Sequence, residues 1–128
     1  MKRDMELIRK ILFHIEACER PNGPDQIDLP EESPDAVSYH VSLLLEANLI
    51  QGMVQPDPNS VYGCWIYHPS LTWNGHEFLD NVRDDAVWKK TKEGASKVGG
   101  WSISLVGDIA KAVLKVEAKR RLGLDIGD

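Results

Sequence analysis

Residues 33–50 read SPDAVSYHVSLLLEANLI, a short helix that stops and hands over to a strand. Ser33 is placed to accept from the first free amides of that helix, and Pro34 suits its first turn because no N–H is needed there. Asp35 puts a carboxylate where the helix dipole favours one. Val37, Val41, Leu44 and Leu45 recur at helical spacing, and Ala36, His40, Leu43 and Ala47 widen the same apolar face. Ser38, Tyr39, Ser42 and Glu46 are left on the opposite face, which makes them the candidate partner-contact residues. Asn48 is the best non-glycine choice for a left-handed stop, after which Leu49 and Ile50 return to the core.

Working outward, Ile50–Gln55 and Cys64–His68 read as two strands joined by the turn-rich Pro56-Asp-Pro-Asn-Ser60. Trp65 and Tyr67 fall on one face of the second strand, and Cys64, Ile66 and His68 on the other. A helix followed at once by a hairpin is the order in which winged-helix domains present a helix to a partner. The Glu46-Ala-Asn-Leu-Ile50 ending is similar to the Glu-Ala-Gly-Leu-Ile that closes many winged-helix recognition helices. Before the central helix, residues 3–19 predict a first helix with Met5, Ile8, Ile11, Leu12, Ile15 and Cys18 in one stripe. Phe13 lies opposite, either packed under another segment or marking a contact surface. Pro21-Asn-Gly-Pro24 ends this helix. Ile27-Asp-Leu29 reads as a short strand, and the gap before Ser33 has no room for the extra helix of a full helix-turn-helix.

After the hairpin, Thr72 is expected to cap a third helix running to about Lys92, with Phe78, Leu79, Val82 and Ala86 inward and Trp73 and Trp88 near its ends. Gly94–Gly100 reads as a hinge-like linker. A last helix is expected from about Ser104 to Leu122, with Val106, Ile109, Val113 and Val116 as its seam and Gly123 as its stop. Lys111, Lys115 and Lys119, continued by Arg120 and Arg121, form a basic line on it. That line is either a solvated face with ordinary dipole chemistry or the candidate nucleic-acid contact.

At 128 residues with 42% hydrophobic content, the chain is long enough to bury a real core. The net charge of −5 is unevenly spread. All 15 Lys and Arg lie within residues 2–20 or 83–121, while Pro21–Trp73 carries none against the carboxylates of Asp25, Asp28, Glu31, Glu32, Asp35, Glu46 and Asp57. Affinity for DNA comes mostly from phosphate neutralisation by Lys and Arg, so an acidic helix and wing argue against duplex reading there. Cys18 and Cys64 have no metal-type spacing and are expected as reduced thiols of a cytoplasmic protein, since nothing resembles a signal peptide. The apolar runs are too short to span a membrane.

The opening Met1-Lys-Arg-Asp-Met-Glu-Leu-Ile-Arg-Lys-Ile-Leu12, together with Tyr39-His-Val-Ser-Leu-Leu-Leu45 and Leu71-Thr-Trp-Asn-Gly-His-Glu-Phe-Leu-Asp80, resembles a known family. It is the bacterial and phage-associated domain of unknown function numbered twenty-five thirteen. The resemblance spreads over nearly the whole chain, and Thr72–Leu79 is its most specific part. It implies a small winged-helix-like protein often encoded near mobile elements. It implies no established activity, so it assigns no functional residues.

Chemistry-bearing patterns are sparse. His76-Glu77 lacks the second histidine of a zinc-protease helix, because Asp80 stands four residues after His76. His76 with Asp80, extended by Cys64 and His68, would make a metal site only if the fold gathered them. Otherwise His76 is a hydrogen-bonded residue beside a helix start, with Gly75 admitting close packing of the hairpin. His40 reads as a satisfied histidine at the border of the core. There is no phosphate-binding glycine loop and no nucleophile elbow, so no enzyme, catalytic residue, cofactor or metal is expected.

The expectation is an α+β, mainly helical, winged-helix-like domain over residues 1–93, in the order helix, short strand, helix, two-stranded wing, helix. A linker at 94–100 and a C-terminal amphipathic helix at 101–123 follow, that helix packing on the domain or pairing two copies as a homodimer. The expected function is a non-enzymatic binding or regulatory protein of phage or mobile-element type that recognises another protein. The alternative is a winged-helix DNA-binding transcriptional regulator.

Overall fold

The computed structural model describes residues 1–21, 23–56 and 64–123, the side chains of Cys64 and Trp65 excepted. The elements run α1 Met5–Glu16, α2 Pro34–Glu46, β1 Ile50–Pro56, β2 Cys64–Leu71, α3 Trp73–Val82, α4 Asp85–Val98 and α5 Ile103–Leu122. The protein is α+β and mainly helical, with an element order compatible with a winged helix. Two compact units divide inside α3, one covering Met1–His76 and the other Glu77–Asp128.

In the first unit, α1 begins at Met5 because the Asp4 carboxylate accepts from the amides of Glu6 at 2.9 Å and Leu7 at 3.4 Å. Its buried side is Met5, Leu7, Ile8, Ile11, Leu12 and Ile15. The periodicity reading missed Leu7. It also carried the helix too far: α1 ends at Glu16, leaving Cys18 half-buried beyond the last turn. Phe13 is half-buried with the Arg9 guanidinium 4.9 Å from its ring centre.

Ser33 caps α2 through Ala36 N–H, and Val37, His40, Val41 and Leu44 are its buried residues. His40 goes deeper than the border expected of it, at 1% exposure. Its Nε2 accepts from Asp4 N–H at 2.8 Å and its Nδ1–H donates to the Ala36 carbonyl at 2.7 Å. Both ring nitrogens are thereby used, which makes burial of an imidazole tolerable. Asn48 has φ +61°, the expected left-handed stop. Asn48→Gly is therefore expected to be neutral or stabilising in a urea melt, and Asn48→Val to cost about 1 kcal/mol or more. Equal loss in both variants would contradict a stop at this residue.

β1 and β2 pair antiparallel from Ile50 opposite Leu71 to Pro56 opposite Cys64, with a bulge beside Gln51–Met53. Between Gln51 and Met53 the partner strand spends one more residue than β1, so the bulge lies in β2, at the left-handed His68, φ +55°. The sheet has two strands only among the described residues. The strand expected at Ile27–Leu29 does not form. Ile27 is instead a buried anchor inside an irregular segment. Residues 57–60 of the expected wing turn, and the faces assigned to Cys64 and Trp65, lie outside the description.

The second unit departs further from expectation. The helix expected over Thr72–Lys92 is two helices, broken at Arg83–Asp84. Asp84 adopts an extended backbone and its carboxylate accepts from Val87 N–H at 3.0 Å, so it starts a new helix instead of continuing the old one. The stretch expected as a linker at 94–100 is helical to Val98, and α4 stops on Gly99 at φ +69°. α4 and α5 form a tight helical hairpin in which a Cβ at Gly94 would stand 3.2 Å from Ile109 Cγ2.

α5 spans nearly the residues expected, from its Ser102 cap to the Gly123 stop. Its seam does not match. Val106, Ala110 and Glu117 are buried, Ile109 and Val113 are half-buried, and Val116 is 63% exposed. Burying Glu117 turns its neighbour Val116 outward, because successive helical residues point about 100° apart.

Candidate functional site

The most informative surface lies where the end of α2 meets the start of α3. Thr72 joins them: its Oγ1 accepts from Gly75 N–H at 3.0 Å, donates to the Asn48 carbonyl at 2.7 Å, and its own N–H reaches the Leu49 carbonyl at 3.0 Å. Gly75 is required at this junction, since a Cβ there would stand 2.0 Å from the Leu49 carbonyl oxygen. Glu46, Ala47 and Asn48 are exposed beside it. So is Trp73, the first residue of α3, with 78% of its surface in water. An indole that exposed buries little of its apolar area and so contributes little to folding.

Of the sequence-nominated partner face, Glu46 is exposed, while Ser38, Tyr39 and Ser42 are half-buried. Ser42 Oγ donates to the Tyr39 carbonyl at 2.6 Å, and the Tyr39 ring meets His40 edge-on at 5.4 Å. The sequence pattern puts Trp73 near a helix end and assigns it no contact. The signal was present: Gly75, Phe78, Leu79 and Val82 are the buried stripe of α3, and Trp73 is out of phase with it.

All five residues of the basic line on α5 are exposed, but their ion pairing differs. Lys111, Lys115 and Lys119 are exposed. Arg120 is tied to Glu117 at 2.7 Å, and Arg121 to Asp84 at 2.7 Å and to Glu117 at 3.3 Å. Lys90 of α4 also pairs with Glu117, whose side chain is 2% exposed. Hydrogen bonds from Lys90 and then Arg120 hold the Glu117 carboxyl down to about 2. The Arg121 guanidinium and the Val87 N–H hold Asp84 well below the usual carboxylate range. Two of the five basic candidates therefore serve the helical hairpin itself.

Among the described residues no group of three or more His, Cys, Asp or Glu side chains is placed to hold an ion. His76 and Asp80 are both exposed on α3, and His68 Nδ1 lies 3.6 Å from Asp25. A concavity of about 330 Å³ is lined by Ile15, Cys18, Arg20, Ser70, Leu71 and His76 among others. Its Arg20 is engaged by the Cys18 thiol and by Asp25 at 3.3 Å. No helix of the described residues is long and apolar enough to cross a membrane.

Comparison with known proteins finds a family and a relative. The model of a family described as "Hypothetical protein (DUF2513)" matches residues 2–102, ending at the residue that caps α5. A curated protein of Haemophilus influenzae (strain Rd), described as "Uncharacterized protein", is 34% identical over 118 residues, which is 89% of this chain and 96% of the relative. No solved structure matches the chain.

Proposed function

The chain belongs to the DUF2513 family, and from that premise we propose that it is a small non-enzymatic binding or regulatory protein, of phage or mobile-element type, that recognises another protein through its helix–hairpin unit. The observation that carries this reading is Trp73, held 78% exposed at a helix start capped by Thr72. Aromatic anchors of this kind supply most of the energy of protein interfaces, and a folded chain gains nothing from exposing one. Exposed Glu46 and Asn48 stand at the α2 exit, to whose Asn48 carbonyl the neighbouring Thr72 is hydrogen-bonded. The absence of Lys and Arg from Pro21 to Trp73 favours a protein partner over duplex DNA, which would bring phosphates against Asp35 and Glu46.

The test is a quantitative pull-down from the native host with the tagged chain and its Trp73→Ala variant. A partner bound by the wild type should lose about tenfold or more in affinity with Trp73→Ala, the size expected for removing an interface anchor. Because Trp73 is so exposed, the variant's melting curve should overlay the wild type. Equal capture by both proteins would overturn the reading. So would specific duplex DNA binding that Tyr39→Ala or Ser42→Ala abolishes.

A further inference from the structure

The two edges of the β1–β2 hairpin are treated differently. The outer edge of β2 is occupied at His68–Pro69: His68 N–H donates to the Asp25 carbonyl at 3.1 Å, and the chain at Gly23 runs so close that a Cβ there would stand 1.8 Å from the Pro69 carbonyl oxygen. Helix α1 also packs against β2. The outer edge of β1 is open. Every residue from Gln51 to Pro56 is exposed, and among the described residues no backbone group outside β2 hydrogen-bonds to it.

An open edge presents unpaired N–H and C=O groups that will accept another strand, and monomeric proteins usually blunt it with charge, proline or a bulge. β1 has little of this protection. Its sequence, Ile50-Gln-Gly-Met-Val-Gln-Pro56, holds no charged residue, its only proline is the last residue, and the bulge falls in β2. Met53 and Val54, 55% and 54% exposed, offer apolar surface on both faces.

We propose that β1 is a self-association edge, pairing antiparallel with β1 of a second copy to make a closed dimer around a continuous four-stranded sheet. A second copy is the occupant these observations favour. Two-fold antiparallel pairing sets identical strands against each other, and this strand is neutral along its length, so no like charges of β1 are brought together within a chain of net charge −5. Closure follows from the asymmetry of the hairpin. With the β2 edge blocked at His68–Pro69, addition stops at two copies instead of propagating as a fibre. Met53 and Val54 pair with Tyr67 and Ile66, several residues along the hairpin from Trp73, and the proposal does not rest on partner recognition.

Sedimentation of the full chain from low micromolar to submillimolar concentration tests the proposal. The mass should rise with concentration from 14.4 kDa toward twice that value and no further. Met53→Lys with Val54→Lys should hold the protein monomeric with an unchanged melting curve, since both side chains are already half in water. Val116→Glu with Leu122→Glu on α5 should leave the dimer intact. Amide exchange of Gln51–Gln55 should slow as concentration rises, and this decides the matter if both double variants weaken association. A monomer throughout, growth past two copies, a dimer lost only in the α5 variant, or unchanged exchange in β1 would each overturn it.

Discussion

Gly75→Ala is expected to destabilise the protein by on the order of 3 kcal/mol, although alanine is the better helix former by about 1 kcal/mol. The sign is reversed by packing. The added methyl would lie 2.0 Å from the Leu49 carbonyl oxygen, which itself accepts from Thr72 N–H. Relief requires moving backbone, and the backbone concerned is the left-handed exit of α2 that Thr72 fastens to the start of α3. Gly107→Ala is the matched control. It too replaces a helical glycine, but its new methyl would meet Phe78 at 3.8 Å, an ordinary contact, so it should stabilise by up to about 1 kcal/mol. Urea melts of the two variants check this. A Gly75→Ala protein as stable as wild type would show that α3 and the Leu49 backbone do not meet as described.

Removing the Glu117 charge is expected to be the most damaging single side-chain change in the α4–α5 hairpin. Glu117→Gln and Glu117→Ala leave Lys90, Arg120 and Arg121 converging on a site with no carboxylate. Each should lower the melting temperature more than Lys90→Ala or Arg120→Ala, because after either of those Glu117 keeps its remaining cations. Acid gives a second readout. Glu117 binds its proton less readily folded, at about 2, than unfolded, near 4.5. Its contribution is therefore present above about 4.5 and is lost as pH falls toward 2. Asp84, shifted the same way by Arg121, acts in the same direction. Thermal melts from neutral pH to pH 2 should show a steep decline in the wild type. In Glu117→Gln the decline should be shallower and start from a lower midpoint. Matching midpoints and slopes would remove the network from the account of stability.

The local grammar of the chain was legible without coordinates. Ser33 and Thr72 cap the helices they precede, Asn48 and Gly123 are left-handed stops, and the hairpin runs where the β-branched and aromatic residues put it. Those features depend on one residue and its immediate neighbours, so sequence determines them. The α+β, mainly helical class and the family resemblance were legible for the same reason. What tertiary structure alone decided was how each amphipathic pattern is used. Asp84 ended one helix and began another because its carboxylate is held both by Val87 N–H and by Arg121, 37 residues away. Glu117 became the buried residue of the α5 seam and Val116 the exposed one because Lys90 of α4 lies opposite. The same holds for the two surfaces proposed to act. Trp73 is out of phase with its helix in the sequence, but only the fold sets it beside the α2 exit. The open edge of β1 exists because the Gly23–Asp25 segment covers β2 and nothing described covers β1. Burial and edge exposure are properties of what packs opposite, and a single strand or helix does not carry that information in its own pattern.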